Sequence, residues 1–348
     1  MHLKRQVVHR LTSFRVASAS FCFVLLMSVL LAACGGSTST GTSSGQTPTA
    51  APKSKVSVAY AGSLVNLMEK KVGPAFTQDS GYPYEGEGKG SSALANEIKG
   101  KLSFPDVFIS ASPAVNTTLM GAANGNYVSW YVPFIRSSLV IGYSPNSKFA
   151  ADFKAVASGS KTWYQVLEEP GIRIGRTDPA LDPKGVRTVI MLELAESFYH
   201  QPGLSTKILG APTNTSQIFP EEELVSRLTS GQLDAGFFYL NEVTDAGIPF
   251  VTLPTQINMS DPSLKSTYAQ ASYTDPKTGL VTKGSAIVYT ITILNTAKNK
   301  AGAIAFVQYL FSSQGEAFFT SDGLSLVTPK ITGDTTAVPS QLQSLFTS

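Results

Sequence analysis

"VAYAGSLVNLMEKKV", Val58–Val72, is the stretch on which the reading of the chain turns. Its first half has the composition of a buried strand, and its second half the apolar spacing of an amphipathic helix. Only Ala61-Gly62-Ser63 separates the two. The N–H groups in the first turn of a helix have no intrahelical partners, and with the helix dipole they attract anions. Small residues let the backbone approach a ligand closely, and a serine hydroxyl adds a donor. Serine is also a common helix cap and glycine a common turn residue, so a single such turn is more often a cap than a site.

The same style recurs outward from this point. Val56–Tyr60 reads as a strand, Leu64–Phe76 as a helix and Pro83–Glu87 as a second strand. Gly90-Ser91-Ser92 then opens the helical "ALANEIKGK", and "PDVFISAS", Pro105–Ser112, is a compact buried strand. Strand and helix alternating at this spacing predict a parallel α/β sheet. In the middle, Ser138–Ser144 reads as a strand. "IRIGRTDPALDPKGVRTVIMLELAESFY" reads as a strand, a Pro-rich loop and a long helix. "EEELVSRLTSGQLDAGFFYLNE" reads as a helix, Gly231 and a strand at Ala235–Leu240. Leu253–Thr282 is polar and is expected to be irregular or hairpin-like. "AIVYTITIL", Ala286–Leu294, is strongly β, and a helix pair follows it. Two α/β blocks with a late return of the chain predict two lobes, crossover strands and a cleft. Ligands in such sheets sit at the carboxyl ends of strands, and a cleft between lobes allows hinge closure. Asp182-Pro183-Lys184-Gly185, ahead of the Val189–Phe198 helix, is a third small or polar helix start. Three of them, each after a predicted strand, shift the balance toward an anion site.

The bulk numbers fit an extracytoplasmic globular protein. The chain has 348 residues, 43% hydrophobic and 15% charged, enough for two domains with cores. The formal charge of +3 arises from residues 1–33, which carry Lys4, Arg5, Arg10 and Arg15 and no acid; the remainder has 23 basic against 24 acidic side chains. No basic patch stands out for nucleic acid. The basic start, the apolar run Phe21–Leu30 and Leu31-Ala32-Ala33-Cys34-Gly35 have the order of an export signal ending in a lipobox, with Cys34 the expected acylated N-terminus. The run is short for a membrane span. The only other cysteine, Cys22, lies in the segment expected to be removed, so no disulfide or thiolate cluster is expected. Residues 34–54, rich in Gly, Ser, Thr and Pro, are expected to be a flexible tether.

Catalysis has little support in the sequence. His200 is the only histidine beyond the signal segment, and it ends a predicted helix, where a solvated or dipole-complementing role is usual. No HExxH, Walker or His/Cys metal spacing occurs. Glu221-Glu222-Glu223 sits at a helix start after Pro220 and reads as complementing the dipole. A secreted hydrolase with a serine nucleophile lacks a credible base. Phe237, Phe238 and Tyr239 read as core strand residues, except that the Tyr239 hydroxyl, near a strand end, could reach a ligand.

Taken in order, the lipobox, "YAGSL", "GSSALANEI", "PDVFISAS", "DPALDPKGVRT", "LTSGQLDAGFFY", "INMSDP" and "IVYTITIL" resemble the molybdate/tungstate-binding proteins of ABC importers, closest to the archaeal-type group. The likeness runs from about Val56 to Pro329. It implies an α/β, two-lobed type II periplasmic-binding-protein fold with the ligand cleft between lobes: residues 55–135 and 284–348 in lobe 1, 136–283 in lobe 2. It implies a lipid-anchored receptor outside the cytoplasm that carries molybdate or tungstate to an ABC permease, as a monomer with no resident cofactor. Ser63 and Ser91 would donate to the oxyanion, with Ser92 the alternative to Ser91. Asp182 matches a loop that supplies either a backbone N–H or a carboxylate to the metal. Tyr239 matches a tyrosine whose hydroxyl binds the oxyanion, and a further backbone donor is expected near Ser137-Ser138. The archaeal-type group carries a second carboxylate, which this alignment places at Phe238. Phe cannot ligate a metal, so either Asp182 alone ligates or it turns away and the ion stays four-coordinate; the alignment favours the second. A receptor for another oxyanion such as sulfate, or for a small organic anion, is the runner-up.

Overall fold

The computed structural model describes residues 52–347. The signal segment, Cys34 and nearly all of the tether lie outside the described residues. No helix among those described is long and apolar enough to cross a membrane.

The opening stretch folds as its composition dictates. Strand β1, Val56–Ala61, is buried along almost its whole length, and at Gly62 the chain turns straight into a helical run over residues 62–80. That run loosens into a π-helical turn at Met68–Val72 and ends at Gly81, whose φ of 71° suits glycine. Strands β2 (Tyr84–Lys89) and β3 (Val107–Ser110) flank β1 in parallel, which places the carboxyl ends of all three on one edge. The parallel expectation holds for this block. Beyond it the sheet is mixed: the late strand β11 (Val288–Ile293) enters antiparallel between β3 and β4 (Trp130–Arg136), and β4 runs in the same direction as β1, β2 and β3.

A second sheet is built from the middle of the chain. Its strands β5 (Leu139–Tyr143), β6 (Ile174–Gly175), β7 (Ala235–Tyr239) and β8 (Phe250–Thr252) lie in the order β6-β7-β5-β8. Strands β9 (Ser272–Thr274) and β10 (Val281–Lys283) form a separate hairpin inside the polar stretch expected to be irregular or hairpin-like. The result is a two-lobed mixed α/β fold in which the chain passes from one sheet to the other between β4 and β5 and returns at β11. Helix Pro183–Tyr199, with eleven of its 17 residues buried, packs against β7 and β9. It is too buried to show a clean amphipathic stripe.

Candidate functional site

The three helix starts singled out in the sequence do meet. Ser63 follows β1, and its hydroxyl lies 2.9 Å from that of Tyr289 on β11. Ser91 begins helix Ser91–Lys99 just past β2; it is fully buried, and its Oγ accepts the Ala111 N–H at 3.0 Å. Asp182 caps the long helix: its Oδ1 accepts the Lys184 N–H and the Thr177 hydroxyl, both at 2.8 Å. Its own N–H is bonded to Asp178 O, so the loop offers a carboxylate rather than that backbone donor. Tyr239 ends β7, wholly buried, with its ring edge-on to Tyr289 at 6.0 Å between centroids.

Two glycines let the lobes approach this closely. A methyl group on Gly90 would lie 2.6 Å from Leu181 O and 3.3 Å from Asp182 Oδ2. One on Gly62 would lie 2.8 Å from Glu221 Oε2. The turn before Ser91 therefore faces Asp182, and the turn before Ser63 faces Glu221. Two hydrogen bonds to backbone carbonyls close the same seam: the Ala93 N–H donates to Leu181 O at 3.0 Å, and the Asn241 side-chain Nδ2 donates to Ser63 O at 2.7 Å.

Glu221 corrects the sequence reading. It does open a short helix, in the turn Glu221–Glu223, but it is not a solvated complement to the dipole. It is 3% exposed; neither of its oxygens meets hydrogen-bond geometry among the described residues, and its one charged neighbour within ion-pair distance is the Lys184 ammonium, 3.2 Å from Oε1. Asp182 Oδ2 is also buried and has no hydrogen-bond partner among the described residues. Burial holds the Glu221 carboxyl well above the usual carboxylate range, and the adjacent Asp182 charge adds to the effect. The sequence did carry a signal. Glu221, Leu224 and Leu228 fall at i, i+3 and i+7, and all three are buried, so the acid sits on the apolar stripe of its own helix. Phe238, where the alignment placed the second carboxylate, is instead packed in a core cluster with Val140, Leu224 and Val243. Tyr239 and Phe238 point to opposite faces of β7, as a strand requires.

Other residues were missed because their types suggested the surface. Lys184 is fully buried, with Nζ 2.7 and 2.8 Å from the two Glu242 oxygens and 3.2 Å from Glu221 Oε1. Burial works against its ammonium, but the Glu242, Glu221 and Asp182 charges outweigh it and raise its pKa above the ordinary lysine value. Arg187, one turn further along, donates to the Tyr239 hydroxyl at 2.6 Å. Ser92 lies apart from the buried group: it is half-buried and lines a separate cavity with Ser112, Pro183 and Arg187. The Ser137 N–H is bonded to Ile287 O, so it is not a free donor; its hydroxyl donates to Asn241 Oδ1 at 3.0 Å. His200, exposed in a left-handed C-cap, is remote from all of this in role. Among the described residues no group of three or more His, Cys, Asp and Glu is arranged to hold a metal ion.

The arrangement combines hydroxyl donors with two buried carboxyl groups, Asp182 and Glu221. Among the described residues Ser91 accepts a bond and donates none, and Tyr239 does the same. The Ser63–Tyr289 pair has two hydroxyl protons for one mutual bond, which leaves one to donate elsewhere. Such a site suits a group that accepts hydrogen bonds and also takes carboxylate oxygens.

Residues 56–325 match the family described as bacterial extracellular solute-binding protein. An uncharacterized solute-binding protein of Petrotoga mobilis is 30% identical over 299 residues, covering 84% of this chain and 90% of its own length. The molybdate/tungstate-binding protein WtpA of Pyrococcus abyssi is 27% identical over 317 residues, covering 82% of this chain and 89% of its own. Among solved structures, the periplasmic molybdate-binding protein of Azotobacter vinelandii has a TM-score of 0.52 at 16% identity, covering 78% of this chain and 100% of that one; it is a likeness of fold.

Proposed function

Since this chain belongs to the bacterial extracellular solute-binding protein family, we propose that it is the molybdate/tungstate receptor of an ABC importer. The observation that carries this reading is the pair of buried carboxyl groups facing the turns that present Ser63 and Ser91: Asp182, whose Oδ2 has no hydrogen-bond partner among the described residues, and Glu221, which has the Lys184 ammonium at 3.2 Å. An ionised carboxylate that does not bond the ligand repels a dianion such as sulfate. Molybdenum(VI) and tungsten(VI) can enlarge their oxygen shell and accept a carboxylate oxygen as a ligand, whereas the sulfur of sulfate does not. The carboxylates thus favour the metal oxyanions over sulfate, while Ser63, Ser91 and Tyr239 donate to the oxyanion's own oxygens. Both carboxylates then ligate the metal, in contrast to the four-coordinate outcome that the Phe238 alignment favours.

In this reading the lobes, 55–135 with 284–348 and 136–283, close on the anion and reopen at the permease. Cys34 carries the lipid and residues 35–54 the tether, holding a monomeric receptor on the outer side of the cytoplasmic membrane. The likeness to the molybdate/tungstate-binding protein WtpA of Pyrococcus abyssi supports the same ligand. X-ray absorption at the tungsten edge of the loaded protein tests the carboxylate role. A shell enlarged beyond four oxygens is expected, and a four-oxygen shell would contradict it.

A further inference from the structure

The position of the Tyr239 hydroxyl is fixed by its surroundings, but the direction of its proton is not fixed by them. The backbone is held by β7 and by Glu242 Oε2, which accepts the Tyr239 N–H at 2.7 Å. The ring is held edge-on by Tyr289. What remains is rotation about the C–O bond, which decides whether the hydroxyl donates toward the cleft or accepts from it.

Arg187 removes that choice. A guanidinium has donors and no acceptor, so in the 2.6 Å contact Arg187 Nη1 donates and Tyr239 Oη accepts. The Tyr239 proton must then point elsewhere, and it meets no acceptor among the described residues. Arg187 is 5% exposed and makes no ion pair among those residues; this is the one hydrogen bond its side chain forms there. Helix Pro183–Tyr199 sets the placement. Asp182 caps that helix, and Arg187 lies five residues further on, so the same rigid element carries both the carboxylate and the group that orients the facing hydroxyl.

We propose that Arg187 is a positioning residue that acts through Tyr239: by filling the acceptor side of that hydroxyl, it commits the phenol to donate to the bound oxyanion. This rests on the oxyanion reading given above and adds to it a residue that need not touch the ligand. The donor is polarised as well as aimed, because a hydroxyl that accepts from a cation gives up its own proton more readily. A binder organised in this way meets no cost of reorienting the hydroxyl when the anion arrives.

A double-mutant cycle on the mature chain tests this, with tungstate as the probe and Arg187→Met, Tyr239→Phe and the double variant compared by calorimetry. Each single change is expected to weaken tungstate binding about tenfold or more. The double variant is expected to be no more than about twofold weaker than the worse single, because both changes remove one donor. Arg187→Lys, which keeps a cationic donor, is expected to lose less than Arg187→Met; it also completes the cycle with Tyr239→Phe if the Met variant does not fold. Losses that multiply, or Arg187→Met binding like wild type, would overturn the proposal while leaving the oxyanion reading intact. Wild-type protein that binds no tungstate would overturn both.

Discussion

Gly62 and Glu221 touch across the cleft so closely that a methyl group on the glycine would lie 2.8 Å from the carboxylate oxygen. Gly62 belongs to the turn after β1, and Glu221 opens a helix in the other lobe. The contact ties the Gly62-Ser63 turn after β1 to a buried acid. It also explains why the turn is built from small residues: they admit the opposite lobe as well as a ligand.

Closure should therefore be sensitive to one methyl group. At Gly90 the added carbon would meet Leu181 O at 2.6 Å, a backbone atom that cannot move alone, whereas at Gly62 it would meet only side-chain atoms of Glu221, Oε2 at 2.8 Å and Cβ and Cγ at 3.1 Å. Gly90→Ala is expected to weaken oxyanion affinity more than Gly62→Ala, by about tenfold or more against severalfold. Calorimetry on the two variants checks the order.

The responses to Glu221→Gln and Asp182→Asn separate two ways of holding the anion. If the carboxylates ligate the metal, Glu221→Gln and Asp182→Asn each lose a charged ligand. Tungstate affinity then falls by roughly tenfold to a hundredfold, in line with about 1.5–3 kcal/mol for a bond to a charged group. If neutral donors alone hold the anion, Asp182→Asn removes a nearby negative charge and strengthens binding, whereas Glu221→Gln, at a carboxyl that burial already holds well above the usual carboxylate range, changes it little. Equilibrium dialysis of both variants reads the sign directly.

A third prediction concerns the lobe seam away from the oxyanion. Lys71 Nζ sits 2.6 Å from Asp322 Oδ1 and 2.8 Å from Asp245 Oδ1, and Asp245 lies on the helix that follows β7. The lysine thereby links the two lobes. Asp245→Asn is expected to speed ligand release severalfold, with less effect at high salt, since a partly exposed pair contributes only about 0–1 kcal/mol. Stopped-flow release into excess competing anion measures it, and an unchanged rate at low salt would remove Lys71 from the closing contact.

Acid stability should depend on Asp234. Its carboxylate accepts three N–H groups of Arg173, each at 2.9 Å, and the Ser147 hydroxyl at 2.8 Å. Burial opposes the charge, but these bonds hold its pKa below the usual Asp range. A group depressed in the folded state adds stability above its unfolded pKa, about 3.9, and that stability is lost as pH falls through the folded value. Asp234→Asn should lower the melting temperature near neutral pH and flatten the acid limb below about pH 4. Parallel melting curves of the two proteins would show it.

Local chemistry made much of this legible. β1, β2 and β3 and their helix starts were found because apolar runs and Gly-Ser turns are signals within a few residues of each other. Ser63, Ser91, Asp182 and Tyr239 were singled out by the same route or through the family likeness, and the structure buries all four. What failed depended on distant contacts. Lys184 and Arg187 look like surface residues until Glu242 and Tyr239, more than 50 positions away, arrive beside them. The antiparallel entry of β11 could not be read from a segment that says only that it is β. The sequence reading placed a second carboxylate beside Tyr239, at Phe238; the buried acid is Glu221, which its spacing to Leu224 and Leu228 puts on its own helix's apolar face.

The central claim is that this cleft takes molybdate or tungstate and refuses sulfate. Calorimetry on the chain from Pro52 onward, titrated with each anion in turn, tests it most directly. The account predicts tight one-to-one binding of tungstate and molybdate with no heat from sulfate. Sulfate binding as tightly as either, or no binding of any of the three, would contradict it.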